Sequence, residues 1–146
     1  RIYPKLAEIQ WRYGDGMFDD KNPLVKWFKK AIYVGMLTFH HRTQFKNLET
    51  PARWAMPCTA GETSAVIDFD GRIRACELRP PIGNLRDFGM DLKLFWETPA
   101  RKNEPARITC DQCWCTHVCF IHDSLRYSNR AMVTEIPKNY LLRKVW

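Results

Sequence analysis

The sequence predicts an α+β fold, a small β-hairpin with surrounding helices and a cysteine-rich loop. Three observations predict it. Apolar residues recur at helical spacing through most of the first 46 positions, a strand-turn-strand pattern centres on Asp70-Gly71, and four of six cysteines crowd into Cys110-Asp-Gln-Cys-Trp-Cys-Thr-His-Val-Cys119.

In order along the chain, Leu6, Ile9 and Tyr13 fall on one helical face. Pro4 suits the first turn of that helix and Gly14 its end. Gly14-Asp15-Gly16 reads as a loop, and Asn22-Pro23 as a cap followed by a first-turn proline. Leu24, Phe28, Ile32, Gly35 and Phe39 then form an apolar stripe opposed by Lys26, Lys29 and Lys30, which predicts a long amphipathic helix to about residue 46. His40 and His41 are adjacent, so on a helix they point about 100° apart and are poorly placed to share one metal. With Arg42 they read as cations near a helix C-terminus.

Glu49-Thr50-Pro51 breaks the helix. Residues 64–69 and 72–76 have strand composition on either side of the tight-turn pair Asp70-Gly71, and this hairpin carries Cys76 back toward Cys58. Pro80-Pro81 ends the second strand, and residues 82–85 read as a turn. Leu92, Phe95 and Trp96 mark a short helix, and Thr98-Pro99 caps a second. Pro105 marks the start of the cysteine loop, Phe120 and Leu125 belong to one more helix, and residues 136–146 form a mixed apolar and basic tail.

The 146 residues suffice for one domain with a real core. No apolar run has the length of a membrane span, so no membrane partner is expected. The formal charge of +7 suits an acidic partner, but its basic residues are scattered and read as a solvated surface. Nucleic acid is therefore not the expected partner. Six cysteines could build the disulfide framework of a secreted interaction domain. Their crowding argues otherwise, since disulfide-stapled domains spread cysteines to link distant segments. Reduced, cytoplasmic thiols acting as metal ligands fit the spacing better.

Cys58-x12-Gly71-x4-Cys76, then Ile82-Gly83-Asn84-Leu85, then Cys110-x2-Cys113-x-Cys115-x3-Cys119 resembles the auxiliary cluster domain of radical S-adenosylmethionine enzymes, the SPASM or twitch domain. The resemblance covers about residues 58–122. It implies an auxiliary [4Fe–4S] cluster, one preferred and two conceivable, with Cys58, Cys76, Cys110, Cys113, Cys115 and Cys119 as its cofactor-binding cysteines. In a one-cluster site the ligands are Cys58, Cys76, Cys119 and either Cys113 or Cys115. Two clusters each held by four cysteines would exceed the six present.

The radical-initiating C-x3-C-x2-C motif is absent from the sequence, so on this resemblance S-adenosylmethionine belongs to a barrel domain outside this chain. Residues 1–50 would be a helical lead-in following that barrel, residues 51–130 the cluster domain and residues 131–146 a C-terminal tail. The implied role is electron transfer or substrate positioning during modification of a peptide or small molecule. Trp54, Trp114 and Phe120 could shield such a centre, Gly61 and Gly83 could let backbone approach its sulfurs, and His117 or His122 could replace a thiolate. The competing reading is a zinc module of four cysteines whose basic surface binds nucleic acid or protein.

Overall fold

The computed structural model describes residues 2–54 and 56–144. The described elements run α1 (Ile2–Met17), α2 (Pro23–Glu49), β1 (Val66–Ile67), β2 (Arg72–Arg74), β3 (Gly83–Asn84), α3 (Leu92–Trp96), α4 (Pro99–Cys110), α5 (Val118–Arg126) and α6 (Asn129–Leu141). Single 3-10 turns follow β3 and α6. The fold is α+β, as the sequence predicts. It divides into a helical unit, residues 1–56 with 114–146, and a hairpin unit, residues 57–113. The expected boundaries were 50 and 130.

In the helical unit, α2 begins where Asn22 accepts the N–H groups of Leu24 and Val25 at 2.9 and 3.4 Å, with Pro23 in the first turn. α1 runs through Gly14 instead of stopping there. Gly14 is buried with the Lys30 side chain close by, and packing on α2 outweighs the weak helix propensity of one glycine. The α2 stripe is only half buried: Ile32 and Phe39 reach the core, whereas Leu24 is 76% exposed and Phe28 is also on the surface. The core joins Phe39, Met56, Ile121, Leu125, Ala131 and Ile136 from α2, α5, α6 and the segment after α2. Gly35 sets the α2–α6 approach, because a Cβ there would stand 2.6 Å from the Ile136 carbonyl oxygen. The expected tail is thus mostly helix α6, while residues 145 and 146 lie outside the described residues.

The hairpin unit carries a three-stranded antiparallel sheet in the order β1-β2-β3, with Ile67 opposite Ile73 and Ile73 opposite Gly83. Gly71 closes the β1-β2 turn at φ +87, a left-handed conformation that favours glycine. The strands are shorter than predicted, and β3 replaces the expected turn at 83–84. Its neighbours complete the pairing: Ile82 N–H donates to the Ile73 carbonyl and Leu85 N–H to the Gly71 carbonyl, each at 2.7 Å. Ile73, Leu85 and Phe95 form the small core beneath the sheet. α4 is capped by Thr98 as predicted, but it continues through Pro105 to Cys110. Pro105 forfeits one backbone donor without ending the helix.

Candidate metal centre

Four of the six cysteines, Cys58, Cys76, Cys110 and Cys113, lie in the hairpin unit. The β1-β2 turn returns the chain so that Cys76, just past β2, lies within electrostatic reach of Cys58. The turn that follows α4 supplies Cys113, whose N–H donates to the Ile108 carbonyl at 3.2 Å, with Gln112 in a left-handed conformation at φ +48. Burial pushes the Cys76 thiol up, and negative charge on Cys113 and Cys58 pushes it the same way. N–H groups of Leu78 and Arg79 bond to the Cys76 sulfur and pull in the opposite direction, favouring the thiolate. Cys76 is buried, Cys58 and Cys113 are half-buried, and Cys110 is exposed at the helix end. None of the six cysteines is in a disulfide.

The chemistry of this donor set fits a thiolate-held metal or iron–sulfur centre: soft sulfurs, mutual repulsion that a bound cation would relieve, and backbone donors on one sulfur. Their present arrangement is not a finished ligand shell. Among the described residues no group of three or more His, Cys, Asp or Glu side chains is arranged to hold a metal ion.

Beneath the thiols lies an ion network that sequence reasoning missed. Arg79 Nε donates to Glu104 Oε1 at 2.6 Å, and its Nη1 donates to Asp111 Oδ2 at 2.7 Å. Glu104 is fully buried on α4, and Arg107 stands 3.4 Å from its second oxygen. Gly61, at φ +77, lies against Ala75 and the Glu104 side chain. It is thus a packing residue, as is Gly83, where a Cβ would stand 2.8 Å from the Phe95 ring. No periodicity links Arg79 to Glu104. A buried arginine and a buried glutamate could have been found only by asking which charges the hairpin and α4 bring together.

Cys115 and Cys119 belong to the helical unit. Cys115 precedes α5, and its sulfur accepts the His117 N–H at 3.4 Å. Its carbonyl accepts Asn47 Nδ2 at 2.9 Å and Trp54 Nε1 at 3.1 Å, while Gln44 Nε2 donates to the Thr116 carbonyl at 2.7 Å. Cys119 is exposed on the first turn of α5. Of the expected shielding aromatics, Phe120 is buried, Trp54 packs on the helical core and Trp114 is exposed.

The histidines also depart from expectation. His40 and His41 are each only 5% exposed and stack at 5.0 Å between ring centres, and His122 of α5 meets His40 edge-on at 4.8 Å. They are not cations at a helix end, because α2 continues two turns further and burial strips them of water. His40 is lowered to about 4 by desolvation and then by the neighbouring His122 and His41. His41 and His122 are lowered too, chiefly by burial. His41 Nε2 lies 2.7 Å from Gln10 Oε1 on α1.

Comparison with family models, with curated proteins and with solved structures gives no match. Among the described residues no helix is long and apolar enough to cross a membrane.

Proposed function

We propose that this chain carries an auxiliary [4Fe–4S] cluster for a radical S-adenosylmethionine enzyme. Cys58, Cys76 and Cys113 of the hairpin unit would be ligands. The observation that carries the reading is that the hairpin unit ties the three cysteine-bearing stretches together, Gly61 lying against Ala75 and Arg79 reaching Asp111 at 2.7 Å, with Cys58 and Cys76 in the Cys-x12-Gly-x4-Cys pattern. When bound, the cluster would supply one-electron chemistry or a positioning contact for a peptide or small-molecule substrate. This chain's residues supply thiolates, burial around Cys76 and N–H donors that favour negative sulfur. On this reading S-adenosylmethionine would bind a partner barrel domain, and a thiolate-held cluster suits a reducing, cytoplasmic setting.

Iron, acid-labile sulfide and zinc per chain, measured on anaerobically purified protein, test the proposal. About four iron and four sulfide are expected for one cluster. About one zinc without sulfide would replace the reading with a structural zinc module. Cys58→Ala and Cys76→Ala should each lose most of the iron, and full iron in both would remove the ligand assignment. Cys110→Ala should have the milder effect, consistent with its exposed place at the end of α4.

A further inference from the structure

We infer that Arg79 is the positioning residue of the thiol centre, a clamp that holds the three cysteine-bearing segments of the hairpin unit in register. This rests on the cluster reading above and adds the residue that makes it work. Cys58, Cys76 and Cys113 sit on three separate stretches of chain. One begins the unit, one leaves β2 and one follows α4.

Each stretch is tied to the same buried ion network. The Cys76 turn is tied through Arg79 itself, whose N–H donates to the Cys76 carbonyl at 3.1 Å and whose own carbonyl accepts Arg74 Nη1 at 2.8 Å. The Cys113 stretch is tied through Asp111, two residues before the cysteine, at 2.7 Å from the guanidinium. The Cys58 stretch is tied through Gly61, which packs on the Glu104 side chain that Arg79 grips at 2.6 Å. Only a planar fork with several fixed donors serves Glu104 and Asp111 at once. A lysine at 79 keeps the charge but presents one point donor. The ion pairs of Arg79 thus set where the three cysteine-bearing stretches lie relative to one another.

The test uses the full chain, anaerobic and metal-free, with Co2+ as probe. Cobalt bound by thiolates absorbs through sulfur-to-metal charge transfer, so the absorption per bound ion counts coordinating sulfurs, a quantity that a merely structural role of Arg79 would leave unchanged. Arg79→Lys and Asp111→Asn should each weaken Co2+ binding about 10-fold or more. Each should also lower the charge-transfer absorption per bound ion, with helical circular dichroism retained. Wild-type affinity and absorption in both variants would overturn the inference while leaving the thiol centre standing. If Arg79→Lys fails to fold, Asp111→Asn decides, since Asp111 is half exposed and its loss strands no buried carboxylate. If wild-type protein shows no charge-transfer band, or one that Cys76→Ser leaves intact, the thiol centre itself is wrong and the inference falls with it.

Discussion

The two units are built on opposite economies. The helical unit is held by side-chain packing: α2 and α6 approach closely at Gly35, and a continuous apolar cluster runs between α2, α5 and α6. The hairpin unit has strands of two or three residues, a core of Ile73, Leu85 and Phe95, and a buried ion network where the helical unit has hydrocarbon. A body of fewer than about 60 residues buries little apolar surface and leans on other ties. The difference teaches where chemistry can reside. The unit with the smaller core carries four of the six cysteines and the buried Arg79–Glu104 pair.

Substitutions should break the two units separately. Phe95→Ala removes the largest fully buried side chain of the small core and should cost about 3–5 kcal/mol. Hydrogen exchange would then show residues 57–113 losing protection while α2 and α6 keep theirs; equal loss in both would mean that the units do not unfold separately.

Acid should strike the other unit. His40 titrates near 6.5 when unfolded and at about 4 when folded, so between those values the unfolded chain binds the extra proton. Its stability contribution is complete above pH 6.5 and is lost as pH falls through 6.5 toward 4, on the order of 2–3 kcal/mol by pH 4. Urea midpoints of His40→Gln at pH 7 and pH 4.5 check this: the variant should lose less than the wild type on acidification. An equal loss would assign the acid sensitivity to other groups.

A smaller effect separates tight packing from propensity. Gly35→Ala improves helix propensity yet places a methyl group against the Ile136 backbone, so it should destabilise the helical unit by about 2 kcal/mol. A rise in melting temperature would contradict the close approach of α2 and α6. The smallest change, Asn22→Ala, should cost about 1 kcal/mol through the lost cap. That loss should appear as fraying of the first turn of α2 and leave the hairpin unit untouched.

Local chemistry was legible in the sequence where one residue type does one job. Asn22-Pro23, Thr98-Pro99 and Asp70-Gly71 each announce a cap or turn, and the caps and the hairpin they imply are present. What depended on tertiary partners was not legible. β3 is two residues long and exists only because β2 pairs with it. His40 and His41 look like surface cations until α5 covers them with His122. Pro105 looks like a helix end, yet Glu104 and Ile108 on either side of it are buried and hold α4 in place. Arg79, Glu104 and Asp111 are common charged residues far apart in sequence, and only the fold makes them a network. The pattern named Cys58 and Cys76 with Cys119 and either Cys113 or Cys115, and it held no sign of the ion pairs that tie Arg79 to Glu104 and Asp111.

The segment around Cys115 has no regular secondary structure, yet Asn47, Trp54 and Gln44 hold its carbonyls from the end of α2 and the stretch beyond it. All three donors are side chains, so this stretch keeps its shape by virtue of the protein alone. The path of the loop is therefore set by three side-chain donors and not by a ladder of backbone bonds, so its exposed side chains can change without moving the chain.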